Sequence, residues 1–280
     1  MLVVSIHFLL LISDKSEMKF QAETLMRSIM YFSNQDVYFT IVVNGECSGP
    51  IKKPIKLSKS NIDNSFISKH AEILICPYHW LVPAPSRWFV EPKAETCVFI
   101  DADMIACKDI SPLFDLDKKS IHGVTAYNVP ISRFDLQSLG LFNSNDYKYY
   151  FNFGMLVVPS EHILTVGNMM MDVLPVVLCK FKKYEYFAAQ ISLAYVLNNL
   201  GINKKILPQE FNWYDLLPEE NLDNILFLHY MDNKKFFVDL KRSLNLERNF
   251  KGLLDLKISL ESQHNNYTKK IIDLIGILYK

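Results

Sequence analysis

The sequence predicts an α/β fold: a mostly parallel central sheet flanked by helices, with a helical tail at the carboxyl end. Three observations carry this. The segment Val37 to Val43 is a continuous β-branched and aromatic run ended by Asn44-Gly45, as a strand buried on both faces should be. A helical stretch precedes it, and a further apolar run, Met1 to Ile12, precedes that, so strand, helix and strand follow one another as a βαβ unit. Later apolar runs, Cys97 to Ile100 among them, stop abruptly at polar residues in the same manner.

Met1 to Ile12 lacks a basic residue ahead of it and contains Ser5 and His7. It is too short to span a bilayer and lacks the flanks of a secretory signal, so a buried first strand is expected there. Ser16 stands where a helix cap belongs, and Met18, Ala22, Leu25, Met26, Ile29 and Met30 follow the three-four spacing of one helical face. Lys19 occupies the position of a capping-box glutamate, so only half of that signal is present. From Gly49 to Trp88 five prolines interrupt the pattern, and short helices and loops are expected.

Val124 to Tyr127 and Met155 to Val158 read as further strands, the second ended by Pro159 with Ser160 placed to cap a helix. That helix carries Met169, Met170 and Met171 as core filling and should kink at Pro175. Phe187, Ile191, Ala194, Leu197 and Leu200 mark another helix, stopped by Gly201. Ile206-Leu207 and Ile225 to Leu228 read as short late strands, and Ile258 to Lys280 as one helix. Residues 1–250 are expected to form one catalytic domain and 251–280 a helical extension packed on it.

Composition narrows the function. Half of the 280 residues are hydrophobic and 21% are charged, which is ordinary for a globular chain and excludes disorder. Thirty basic and thirty acidic residues give a formal net charge of zero, which argues against nucleic acid as a partner. The five cysteines are an odd number with no Cys-x-x-Cys pair, read as reduced thiols in a cytoplasmic protein.

Chemistry concentrates at Val98-Phe99-Ile100-Asp101-Ala102-Asp103, where a strand runs out at two carboxylates. In an open α/β sheet ligands bind beyond the carboxyl ends of strands. Residues i and i+2 of a strand point the same way, so both carboxylates could converge on one divalent cation. A solvated surface turn fits the same dipeptide spacing. Leu226-Phe227-Leu228-His229 repeats the design, and Lys234-Lys235 follow shortly after it. Two carboxylates and an imidazole suit manganese or magnesium, and a nearby lysine would stabilise charge on a departing phosphate. The alternative for His229 is a satisfied core histidine.

Taken together these segments resemble the GT-A nucleotide-sugar glycosyltransferases, and specifically the retaining glycogenin-like and lipopolysaccharide galactosyltransferase-like enzymes of family eight. The resemblance spans residues 2–240. Arg87 looks like the arginine that family members place on the sugar-nucleotide, and Cys97 to Asp103 with Ile110 to Phe114 like the metal motif and the short helix after it. Tyr150-Phe151-Asn152-Phe153-Gly154 is similar to the run whose asparagine contacts the donor sugar. Leu207 to Trp213 resembles the segment lining the acceptor side, and His229 with Lys234 or Lys235 the third metal ligand and the diphosphate-binding lysine.

The resemblance implies a Rossmann-like GT-A fold and a Mn2+ or Mg2+ ion held by Asp101, Asp103 and His229. It further implies transfer from a nucleotide-diphosphate sugar, UDP-sugar being usual, to a glycan, lipid-linked or protein acceptor with retention. Asp101, Ala102, Asn152, Arg87 and Lys235 would contact the donor, with Asp14 a weaker contact to base or ribose, or else a surface-turn residue. Asp103, Lys234 and Gln190 would carry catalysis. Two positions depart from the family: Ala189 stands where an Asp or Glu usually precedes the glutamine, and Phe153 where a small residue is usual. Glu185, one turn earlier, could substitute for the missing carboxylate.

Two alternatives stay open on the sequence. One is a sugar-nucleotide-binding relative with impaired catalysis, motivated by Ala189. The other is a HAD-type phosphohydrolase, although the chain lacks the later Gly-Asp or Asp-Asp dipeptide that such enzymes need. The tail, with Lys269 and Lys270 beside isoleucines and leucines, could lie on a membrane surface near lipid-linked acceptors or pack on the protein; packing is favoured. Oligomeric state is left open.

Overall fold

The computed structural model describes residues 5–47, 55–78, 84–126, 150–180, 187–214, 223–230 and 266–279. In chain order its main elements are β1 (Ile6–Ser13), α1 (Ser16–Phe32), β2 (Val37–Cys47), β3 (Ser58–Lys59), α2 (Ser65–His70), β4 (Glu72–Tyr78), β5 (Thr96–Asp101), β6 (Met104–Ala106), β7 (Ile121–Thr125), β8 (Phe151–Pro159), α3 (Ile163–Lys180), α4 (Ala188–Asn199), β9 (Lys204–Ile206), β10 (Trp213–Tyr214), β11 (Phe227–His229) and α5 (Asn266–Leu278). They form two compact units, each assembled from separate stretches of chain.

The first unit comprises Met1–Ser13, Gln35–Asp101 and Leu113–Gln209. Its sheet has the order β3-β4-β2-β1-β5-β8-β7-β9. β1 lies between β2 and β5, parallel to both, with Leu9 opposite Thr40 on one side and Phe99 on the other. β4 extends the parallel run beyond β2, whereas β8 runs antiparallel to β5 and to β7. The predicted mostly parallel α/β sheet is therefore present. All nine residues of β8 are buried, as expected of a strand covered on both faces.

Helices α3 and α4 pack together and complete the core, burying Val166, Met170, Leu174, Ile191 and Leu197 with Leu9, Phe99 and Leu156. The stretch Ser160–Lys180, with a mean hydropathy of 1.6, is long and apolar enough to cross a bilayer. Its apolar stripe faces this core, however: Ile163, Val166, Met170, Met171 and Val177 are all buried there.

The second unit comprises Asp14–Asn34, Ala102–Pro112 and Glu210–Lys280. Its three-stranded sheet has β11 at the centre, parallel to β10 and antiparallel to β6. Phe20 of α1, Ile105, Leu228 and Tyr230 form its core with Ile271, Ile272 and Ile275 of α5. Arg27 locks the two helices together: its Nη1 donates to the Leu278 carbonyl at 3.1 Å, and its guanidinium lies 4.7 Å from the Tyr279 ring centre. Ile271, Ile272 and Ile275 of the tail helix are thus covered by the core of this unit, whereas Ile277 is 47% exposed.

Several elements differ from expectation. The region assigned to short helices and loops contains β4, whose run Ile73-Leu74-Ile75-Cys76 is followed directly by Pro77 in the sequence. Pro77 falls at the end of the strand, where a missing N–H is tolerated. Lys15, not Ser16, is the N-cap of α1, and its side chain makes no capping hydrogen bond. α3 continues through Pro175 as one helix, with the ring exposed. α5 begins at Asn266, and 258–265 lie outside the described residues. Gly201 does stop α4 as predicted, at φ +61°, a backbone conformation that glycine adopts freely.

His7, fully buried on β1, shows how tightly the first sheet constrains polar groups. Its Nδ1 accepts from the Lys93 N–H at 3.1 Å, so Nε2 carries the proton and donates to Thr40 Oγ1 at 2.8 Å. Burial, reinforced by the Lys93 charge, pulls its pKa down to about 4, against an opposing pull from Glu72. Because the folded value lies below the ordinary 6.5, this neutral ring stabilises the fold above pH 6.5, and that contribution is lost as pH falls toward 4. His7→Gln should remove about 3 kcal/mol from the difference in unfolding free energy between pH 7 and pH 4, read from urea midpoints. Identical pH slopes in the two proteins would refute this.

Candidate active site

The second unit builds the centre of the site through backbone pairing. β5 ends at Asp101, the chain turns through Ala102 and Asp103, and β6 begins at Met104. β6 runs antiparallel to β11 with Met104 opposite His229 and Ile105 opposite Leu228. The Tyr230 N–H donates to the Asp103 carbonyl at 2.9 Å and closes the ladder at its end. This register sets Asp103 beside His229, with Oδ1 3.3 Å from Nε2. His229 is only 4% exposed, and its other nitrogen, Nδ1, is 2.9 Å from Asn212 Oδ1. Tyr214 packs against the ring edge-on at 5.9 Å between centres.

Asp101 is held by the first unit. Arg87 lies in a short helical turn, 84–89, and is 1% exposed. Its Nη1 donates to Asp101 Oδ1 and to the Ile100 carbonyl, each at 3.3 Å, and Nη2 donates to the Phe153 carbonyl at 3.2 Å. The rings of Phe99 and Phe153 stack near the guanidinium at 5.4 and 5.2 Å. Burial pulls the Arg87 pKa below its ordinary value, and the Asp101 charge and hydrogen bond oppose that pull. Phe153, the residue that departs from the family's small one, thus has a local partner in Arg87.

Asp101 and Asp103 are separated only by the buried Ala102, so connectivity keeps their carboxylates together. One oxygen from each and one ring nitrogen of His229 lie within 4.8 Å of one another. Two hard oxygens and an imidazole on so short a spacing fit a divalent cation such as manganese or magnesium. The expected geometry is adjusted in one respect: Asp103 sits in the turn after β5, not on the strand, so it is the turn and the β11 pairing that orient it.

The other sequence-predicted residues fall elsewhere. Asp14 is exposed and ion-paired with Lys19 at 2.7 Å, as the surface-turn alternative has it. Asn152 Oδ1 accepts from the Gly154 N–H at 2.7 Å inside β8. Gln190 lies in the first turn of α4, half-buried, and its Oε1 has no hydrogen-bond partner among the described residues. Ala189 packs partly against the first core. Lys234, Lys235 and Glu185 lie outside the described residues. Sequence reasoning assigned the segment containing Asn212 to the acceptor side. Its contact with His229 depends on β10 pairing in parallel with β11, Trp213 opposite Leu228, which no local pattern reports.

A parallel-centred α/β sheet with carboxylates just beyond the carboxyl end of β5 is where open α/β folds bind their ligands. The family model "Glycosyl transferase family 8" matches residues 86–239, more than half of the chain, and the chain belongs to that family. Among solved structures, the apo form of the bifunctional glycosyltransferase WbbM is similar at a TM-score of 0.51 and 14% identity. The alignment covers 82% of this chain but 46% of that one, so this chain spans less than half of the WbbM chain. The galactosyltransferase LgtC, solved with donor and acceptor sugar analogues, is similar at a TM-score of 0.54 and 11% identity, covering 85% of this chain and 95% of that one. At such identities these two likenesses establish the fold. No curated protein matches the sequence.

Close packing holds the Arg87 turn in place. A Cβ added to Gly167 of α3 would stand 2.5 Å from Trp88 Cβ and 3.2 Å from the Trp88 carbonyl. Neither neighbour is the far end of a flexible side chain. Gly167→Ala should therefore cost about 1–3 kcal/mol in urea denaturation through overpacking beside Arg87. An unchanged midpoint would show that α3 and the turn are not in the contact described.

Proposed function

We propose that this glycosyltransferase is metal-dependent and moves a sugar, with retention, from a nucleotide-diphosphate sugar to a glycan or lipid-linked acceptor. UDP-sugar is the donor expected from the family, and the cytoplasm is the expected compartment. The observation that carries the reading is the Asp101, Asp103 and His229 group, with ligand atoms mutually within 4.8 Å. Asp101, Asp103 and His229 would hold Mn2+ or Mg2+. When bound, the cation supplies Lewis-acid stabilisation of the diphosphate as its bond to the anomeric carbon breaks.

The chain's own residues divide the remaining work. Arg87 holds the Asp101 carboxylate while staying out of solvent itself, so its role in this reading is to orient a ligand. The Asp103 backbone is set where β6 pairs with β11, and its carboxylate stands 3.3 Å from His229 Nε2. Lys234 or Lys235 would add positive charge at the leaving group, and Gln190 would contact the transferred sugar. Leaving-group stabilisation is the main catalytic contribution, so no strong general base is required.

Asp103→Ala should lower manganese-dependent donor hydrolysis or transfer by about two to three powers of ten. Turnover at the wild-type level in that variant, in the presence of a chelator, would defeat the metal assignment. A thermal-shift panel of nucleoside diphosphates with Mn2+ would identify the donor base. Ala189 supports a second reading, a sugar-nucleotide-binding relative with impaired catalysis. Nucleotide-dependent stabilisation without turnover of any donor would favour that reading, and release of free sugar from one donor would dismiss it.

A further inference from the structure

We propose that Asn212 is a positioning residue that fixes His229 as its Nδ1–H tautomer, leaving the Nε2 lone pair on the side of Asp103 to accept the cation. The inference rests on the metal reading above. Its basis is the 2.9 Å contact between His229 Nδ1 and Asn212 Oδ1. An amide oxygen only accepts, so the hydrogen in that contact must belong to Nδ1. In a neutral imidazole the other nitrogen then carries the lone pair, and that nitrogen lies 3.3 Å from the Asp103 carboxylate oxygen. Two acceptors so close repel each other unless a cation stands by them.

The placement of Asn212 comes from backbone structure. Asn212 is fully buried at the end of a short helical turn, Gln209–Asn212, directly before β10. That turn is tied to the chain entering β11: the Leu226 N–H donates to the Glu210 carbonyl at 2.7 Å. Parallel pairing then sets Trp213 opposite Leu228 and Tyr214 opposite His229, so the residue ahead of β10 is held beside the imidazole. Tyr214 against the ring edge restrains its rotation. The tautomer is thereby selected in the folded protein before any ion arrives, which is how outer partners of a ligating histidine raise metal affinity.

The experiment uses the full chain and Mn2+ alone, titrated by the electron paramagnetic resonance signal of the free ion. Asn212→Ala should weaken Mn2+ binding by about 10- to 100-fold, and Asn212→Asp, which keeps an acceptor oxygen, should restore most of it. Long-range 1H–15N spectra of the metal-free protein, with the His229 signal assigned by comparison with His229→Gln, should show the proton on Nδ1 in the wild type and its loss from that nitrogen in Asn212→Ala. Wild-type Mn2+ affinity in Asn212→Ala, no rescue by Asn212→Asp, or a wild-type proton on Nε2 would each overturn the role of Asn212. No Mn2+ binding by the wild type would instead overturn the metal reading beneath it, whatever the tautomer. Should Asn212→Ala fail to fold, the wild-type spectrum and Asn212→Asp still decide the matter.

Discussion

The antiparallel pairing of β6 with β11 is the constraint on which the site depends. Six residues, Met104 to Ala106 and Phe227 to His229, meet in a single register, and that register sets a turn carboxylate against a buried imidazole. Backbone hydrogen bonds do this work, so the separation of the two side chains is set by strand geometry and not by the flexibility of long side chains. A one-residue slip would flip every side chain of β11 to the opposite face and remove His229 from the site. The apolar neighbours guard against it, because Leu228 and Ile105 share a core with Phe20, Ile271 and Ile275.

A second device operates on the first aspartate. A guanidinium that is almost wholly buried donates to two backbone carbonyls as well as to Asp101, and two phenylalanine rings flank it. Burying such a charge is costly unless donors find partners, and here Asp101 and the carbonyls of Ile100 and Phe153 partner Nη1 and Nη2, while Nε has no hydrogen-bond partner among the described residues. The arrangement turns a strand end and a neighbouring strand into a fixed seat for one carboxylate. It also gives Phe153 a reason to be large. Where a small residue is usual in the family, this chain has an aromatic ring engaged with the arginine.

Family membership rests on a match over residues 86–239, whereas the solved structures at 11% and 14% identity speak only to the fold. What this enzyme transfers, and to what, therefore depends on the chemistry of its own residues. The acidic pair and the histidine are a mixed oxygen and nitrogen set with ligand atoms within 4.8 Å of one another. Such a set suits a hard or borderline divalent ion that handles phosphate oxygens. In the proposed mechanism a missing carboxylate at Ala189 need not remove the reaction, since charge on the leaving group would be stabilised by the cation and a lysine.

Much was legible without coordinates. Unalternating apolar runs such as Val37 to Val43 mark strands covered on both faces, and the abrupt ends at Asp101 and His229 mark where strands hand over to chemistry, because both signals are local and periodic. The turn at Gly201 was readable for the same reason. The strand Glu72–Tyr78 was hidden by Pro77, whose cost is small because it falls near the strand's end. The burial of Arg87 and the meeting of Asn212 with His229 were invisible, because each is created by pairing between stretches distant along the chain. By itself the sequence determined the fold class and singled out Asp101, Asp103 and His229, whose ligand atoms lie within 4.8 Å of one another. Tertiary structure alone decided which of those residues face one another, since contact between remote segments is set by strand register and packing, and neither leaves a trace in local spacing.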